Sequence, residues 1–176
     1  MTSEAAGRKQ PHSHDAEKAL LGALLLDPDR IAEVAEQLDA EDFHDRRHAA
    51  VFEALSRISD AGVPVDFVSV GEALQSSGEL ERVGGSAYLV ELAEAVSSSA
   101  HANHHARLVS ETAVLRNLIG EATEIIAKAY ETRPDGNDVR ELLDESEHRI
   151  FSIAKAGESQ RAEPIADAIT EVWKRI

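Results

Sequence analysis

Apolar residues recur along this chain at steps of three and four, the spacing of one face of a helix. The first such run is SHDAEKALLGALLLDPD. Ser13 can cap a helix there, with Asp15 and Glu17 in the first turn, where the helix dipole favours anions, and Leu20, Leu21, Leu24 and Leu25 on one side. Asp27-Pro28 ends that helix and opens another, with Pro28 at its first position and Ile31, Val34, Ala35 and Leu38 on its apolar face. After Phe43, RRHAAVFEALSRISDAG predicts a helix turning Val51, Phe52, Leu55 and Ile58 inward, stopped by Gly62 in a left-handed conformation. VPVDFVSVGEALQSSG can be read two ways. Its β-branched alternation suggests a strand, whereas Asp66 as a cap with Phe67, Val70 and Leu74 following suggests a short helix; with no partner strand elsewhere in the chain, the helix is preferred. Gly84-Gly85 then makes a tight turn, and Ser86 is expected to cap a helix carrying Tyr88, Leu89 and Leu92.

The pattern changes near Ala102. From there to Glu131 the chain has no proline and one glycine, and Leu108, Thr112, Leu115, Ile119, Ala122, Ile126 and Ala129 step by four and three, as in a coiled-coil seam. A helix of that span is about 45 Å long. Pro134, Asp135 and Gly136 turn the chain, Asp138 is expected to cap the next helix, and Val139, Leu143, Ser146, Ile150 and Ile153 repeat the spacing. Two long helices joined this way make an antiparallel hairpin. A second stripe, Val114, Leu118 and Ile125 with Leu142 and Phe151, exceeds what one seam needs, so it packs either on the preceding bundle or on another chain. GESQRAE then reads as a flexible linker into a last amphipathic helix with Ile165, Ile169, Val172 and Ile176 on one stripe and Trp173 beside it.

These elements predict an all-α protein: a polar, disordered start (1–10), a bundle of short helices (11–100), a long antiparallel helical hairpin (101–157), and a linker with the start of a tethered docking helix (158–176). The last helix stops mid-pattern at Ile176 without a capping glycine, and the expectation is that more protein follows. Composition agrees with a helical core. Of the 176 residues 43% are hydrophobic but only 4% aromatic, so Leu, Ile, Val and Ala must fill the interior. There is no cysteine, hence no disulfide or thiolate chemistry. The net charge of −15 disfavours direct binding to a phosphate backbone, where affinity comes from Lys and Arg releasing counterions. With no signal-peptide core and no apolar run near the ~20 residues of a membrane span, a cytoplasmic protein is expected.

Two stretches invite a chemical reading. GELERVGGS (78–86) resembles a phosphate loop, but Gly84 comes one residue late for that motif, Gly85 stands where its lysine should be, and none of the ten glycines is followed by Lys. HANHH sets His101 one turn from His105, with His104 between, a spacing able to hold zinc or copper. Without a third ligand or an orienting partner the spacing alone is insufficient, so no catalytic, cofactor-binding or metal residue is assigned.

Read in order, PHSHDAEKALLGALLLD, DFHDRRHAAVFEAL, DAGVPVDFVSVGEAL, GELERVGGSAYLVEL, LVSETAVLRNLIGEATEIIAKAY and VRELLDESEHRIFSIA resemble the N-terminal domain of bacterial replicative DNA helicases, the DnaB family, over residues 11–157. The glycine pair followed by Ser-Ala-Tyr-Leu is among the more specific markers. One departure is His105, where the family usually has Tyr ahead of Ala106-Arg107-Leu108-Val109, which puts a local packing or interface detail in doubt. The resemblance implies a helical bundle with a hairpin that pairs between subunits, three such dimers forming a collar on a hexameric ring. It also implies recruitment of primase through that protein's C-terminal domain, contact with a helicase loader, and a linker helix that docks on the next subunit's motor. ATP and Mg, and single-stranded DNA, would belong to that motor, absent from these residues. This chain is therefore expected not to be an enzyme itself, but the collar of an ATP-dependent helicase in the bacterial cytoplasm, at the replication fork. Hairpin packing and dimerisation are expected of Leu115, Leu118, Ile119, Ile126, Leu143, Ile150 and Phe151, and linker docking of Ile165, Ile169, Val172 and Trp173. The alternatives are a free-standing helical adaptor or helicase regulator with the collar fold and no motor, and a metal-dependent enzyme centred on HANHH.

Overall fold

The structure, a computed structural model, describes residues 9–159, with side chains described to Lys155. It is all-α: α1 (His14–Leu26), α2 (Ile31–Ala35), α3 (Arg46–Asp60), α4 (Phe67–Ser76), α5 (Leu80–Val83), α6 (Gly85–Glu94), α7 (Ala102–Glu131) and α8 (Gly136–Ser159), with single 3-10 turns at Pro28–Arg30 and Ala40–Asp42. No strand occurs among the described residues. The run from Val63 is helical because Asp66 accepts from the amides of Val68 and Ser69, both at 2.8 Å, while Ser69 Oγ accepts from the Asp66 amide. Ser13 caps α1 by accepting from the Ala16 amide, and Gly62 ends α3 with φ +66°.

Two predicted caps fall elsewhere. Helix α6 starts at Gly85, before Ser86, because Gly84 and Gly85 both take positive φ (115° and 73°) and turn the chain directly from α5 into α6. Asp135, not Asp138, caps α8, its carboxylate accepting from the amides of Asn137 and Asp138.

The chain divides into two compact units between Arg116 and Asn117. The first has a closed core: Leu20, Leu21 and Leu24 of α1 pack with Ile31 and Val34 of α2, Val51, Phe52 and Leu55 of α3, Val70 and Leu74 of α4, and Leu89 and Leu92 of α6. Of the residues that suggested α4, Val70 and Leu74 are buried and Phe67 in its first turn is exposed. The helices α1 and α6 approach so closely that a Cβ on Gly22 would lie 2.1 Å from the Leu92 carbonyl oxygen. Only glycine fits there. The opening turns of α7 also belong to this unit, since Ala102, Ala106 and Val109 are buried in its core and Arg116 donates to the carbonyls of Pro11 and Asp42. The bundle thus extends past residue 100, because small residues on α7 let that helix dock closely.

The second unit consists of the remainder of α7 and helix α8. None of its described side chains is buried.

Candidate functional site

Within the hairpin unit the half-buried positions are Glu121, Ile125 and Lys128 on α7, Thr132 just after it, and Leu142, Glu145, Ser146, Arg149 and Ile153 on α8. Much of this inner face is charged. Arg149 bridges Glu121 at 2.7 Å and Glu145 at 2.9 Å, and Lys128 reaches Glu145 as well. The pairs push the Glu145 carboxyl below its ordinary range, first through Lys128 and then Arg149. Solvent screens pairs as exposed as these, so they orient the two helices more than they stabilise them.

With charge occupying much of the inner face, most of the large apolar side chains lie outside. Leu115, Leu118, Ile119, Ile126, Leu143, Ile150 and Phe151 are all exposed, as are Tyr130 and Val139. Leu115, Ile119, Ile126, Leu143 and Ile150 of the four-and-three stripe therefore lie on the outer surface with Leu118 and Phe151 of the second stripe, whereas Ser146 and Ile153 of the first and Ile125 and Leu142 of the second are half-buried. The pattern could not separate the two, because both stripes are apolar and only the charged residues between them decide which one closes. Ile165, Ile169, Val172 and Trp173 lie outside the described residues.

A second constellation occupies the bundle. Glu17, 1% exposed, accepts from the amides of His44 at 2.8 Å and Asp45 at 3.2 Å, and from His48 Nδ1 at 2.7 Å. Across the ring, His48 Nε2 lies 2.7 Å from the Tyr88 hydroxyl. Burial pushes the Glu17 carboxyl up, but these donors outweigh it and hold the group below its ordinary range. An ionised Glu17 can only accept, so Nδ1 carries the proton. Nearby, Asp45 is drawn down to about 2 by the Arg47 guanidinium, which also stands 5.0 Å above the Tyr88 ring. With every donor and acceptor of the Glu17–His48–Tyr88 line occupied, its role is to join α1, α3 and α6. Sequence reasoning placed Glu17 only at a helix start and passed over His48. A signal was available: each falls in phase with an apolar stripe, Glu17 with Leu20, Leu21 and Leu24, and His48 with Val51, Phe52 and Leu55.

The HANHH histidines do not converge. His101 and His104 are exposed, while the half-buried His105 keeps its Nδ1 from solvent without a hydrogen-bond partner. Burial, then the neighbouring His104 and His101, lowers its pKa.

Residues 9–111 match the family model described as DnaB-like helicase N terminal domain. The chain belongs to this family. The replicative DNA helicase DnaB of Geobacillus stearothermophilus is 41% identical over 169 residues, covering 96% of this chain and 37% of that protein. The crystal structure of the N-terminal domain of DnaB helicase from Mycobacterium tuberculosis superposes with a TM-score of 0.76 at 35% identity, over 82% of this chain and 99% of that one. A DnaB-like replicative helicase whose structure is described with its interactions with primase gives a TM-score of 0.65 at 26% identity, covering 93% of this chain and 34% of that one. The chain thus spans well under half the length of the full-length relative, and corresponds to the N-terminal part of a DnaB-type helicase. Among the described residues no helix is long and apolar enough to cross a membrane.

Proposed function

We propose that this chain is the N-terminal collar of a hexameric replicative DNA helicase, organising the ring and recruiting primase during DNA replication. The observation that carries the reading is the set of exposed large apolar side chains on α7 and α8, in a member of the DnaB N-terminal family. Fully burying one Leu or Ile is worth about 1.5–3 kcal/mol. These residues are roughly half exposed, so about half of that gain per residue is still available to a partner helix.

In this reading, hairpins pair into dimers through Leu115, Leu118, Ile119, Ile126, Leu143, Ile150 and Phe151, and three dimers close the collar. Primase docks through its C-terminal domain, and a helicase loader can contact the same collar. Ile165, Ile169, Val172 and Trp173 belong to a linker helix seated on the neighbouring motor. ATP, Mg and single-stranded DNA are handled by that motor and not by these residues. The place of action is the bacterial cytoplasm, at the replication fork.

The test is sedimentation velocity over a concentration series. Wild type should self-associate, and Ile119→Asp or Leu118→Asp should weaken association at least about tenfold, since an interfacial charge desolvated without a partner costs more than ~1.4 kcal/mol. Variants that stay folded and sediment like wild type would remove the hairpin from the interface. Calorimetry with an isolated primase C-terminal domain tests recruitment separately.

A further inference from the structure

Besides the network that joins α1 to α3, the starts of these helices bring together a donor set that the collar reading leaves unused. One donor atom each from His14, Asp45 and His48 lie within 4.8 Å of one another. His14 sits at the start of α1, Asp45 caps α3, and His48 follows one turn later. From these positions we propose that His14, Asp45 and His48 form a site for a zinc-class transition metal, which ties the beginning of α1 to the beginning of α3.

The chemistry of the donors supports that class. Two imidazoles and one carboxylate suit Zn²⁺ and its neighbours, whereas Mg²⁺ prefers all-oxygen sites. A tetrahedral zinc at ordinary bond lengths sets its ligand atoms about 3.4 Å apart. His14 Nδ1 and Asp45 Oδ2 are already 3.8 Å apart, and the half-exposed His14 side chain is free to close the difference. Burial grades across the set from His48 at 0%, through Asp45, to His14 at the surface. The site would therefore have a fixed anchor and an open mouth, with water as fourth ligand.

Metal entry requires His48 to release one of its two partners, Glu17 or Tyr88. The partner that remains holds the ring, as outer-shell groups do at histidine metal sites. If Glu17 is the one released, it keeps the amides of His44 and Asp45. The second competitor is Arg47, whose guanidinium is 2.8 Å from Asp45 Oδ2. Because the site displaces existing bonds, the metal binds more weakly than in a dedicated zinc fold, and Arg47 sets part of the affinity.

The experiment uses the untagged 176-residue chain, dialysed against Zn²⁺, with metal counted per protein and melting followed in parallel. One zinc per chain and a raised Tm are expected below about 100 µM metal, with no effect of equal Mg²⁺. His14→Gln, a surface change, should lower affinity at least about tenfold, as loss of an outer-shell partner alone can. The double variant His101→Gln/His104→Gln should bind as wild type. Arg47→Ala should bind several-fold more tightly, because it frees Asp45. Absence of stoichiometric zinc, wild-type binding by His14→Gln, loss of binding in the double variant, or unchanged affinity in Arg47→Ala would each overturn the site.

Discussion

The two units of this chain use the same amino acids in opposite ways. In the bundle, leucine, isoleucine and valine from seven helices are sealed from water, and even the charged Glu17 is enclosed with its partners. In the hairpin, most of the large apolar side chains lie outside, and Glu121, Lys128, Glu145 and Arg149 share the inner face with Ile125, Leu142 and Ile153. Burial of apolar area is the dominant stabilising term in folding, so the bundle can stand on its own core. Among the described residues of the hairpin no side chain is buried, and exposed ion pairs do not replace a core. Long helices in water take most of their stability from packing an apolar face, so the order of the hairpin should be coupled to whatever covers its outer stripe.

Four substitutions sharpen that contrast. Gly22→Ala should have the largest effect: its methyl would meet the Leu92 carbonyl, forcing α1 and α6 apart. The expected loss is about 3 kcal/mol, the upper range for overpacking, read from urea unfolding. A near-neutral result would mean that the helices do not approach this closely.

Glu17→Gln should come next, at about 2 kcal/mol, because an amide cannot accept from two backbone amides and an imidazole together. The same group gives the bundle a pH dependence. Its carboxyl lies below the ordinary value of 4.5 in the folded state, so its contribution is complete above that value and is lost as pH falls through the lower, folded one. Asp45, at about 2, adds to the same trend between its ordinary value of 3.8 and that point. Asp42 is raised, by burial first, and works in the opposite direction. Stability should therefore fall on acidification below about pH 4.5, and less steeply in Glu17→Gln. Equal acid slopes in the two proteins would contradict the assignment.

The hairpin should respond differently to the same kind of change. Gly120 has nothing within 4 Å of a built Cβ, so Gly120→Ala should stabilise α7 by about 0.5–1 kcal/mol through helix propensity alone. Thus glycine to alanine reverses sign between the two units. Smallest of all is the effect of Ile119→Asp on the stability of the monomer, within about 0.5 kcal/mol for an exposed site. A large loss in monomer stability there would place Ile119 in a folded core and undo the comparison.

The helical architecture was legible in the sequence because a period near 3.6 survives substitution among Leu, Ile and Val, and because Ser13, Asp66 and Gly62 mark helix ends by local chemistry alone. The family resemblance rested on the same local order. The exposed stripe was legible as a set of residues, but its outward direction was not. That direction depends on which faces of α7 and α8 meet, and there Arg149 and Lys128 pair across the turn with Glu121 and Glu145.

Sequence by itself determined the all-α type and the order of α1 to α4 and α6 to α8, since these follow from spacing and end-capping within a few residues. Only the tertiary structure decided that Gly22 must stay bare, that Glu17 and His48 are enclosed, and that the first turns of α7 join the bundle. Each of these depends on atoms brought together from distant parts of the chain, where close packing leaves no room for a methyl group and no water for an unpaired charge.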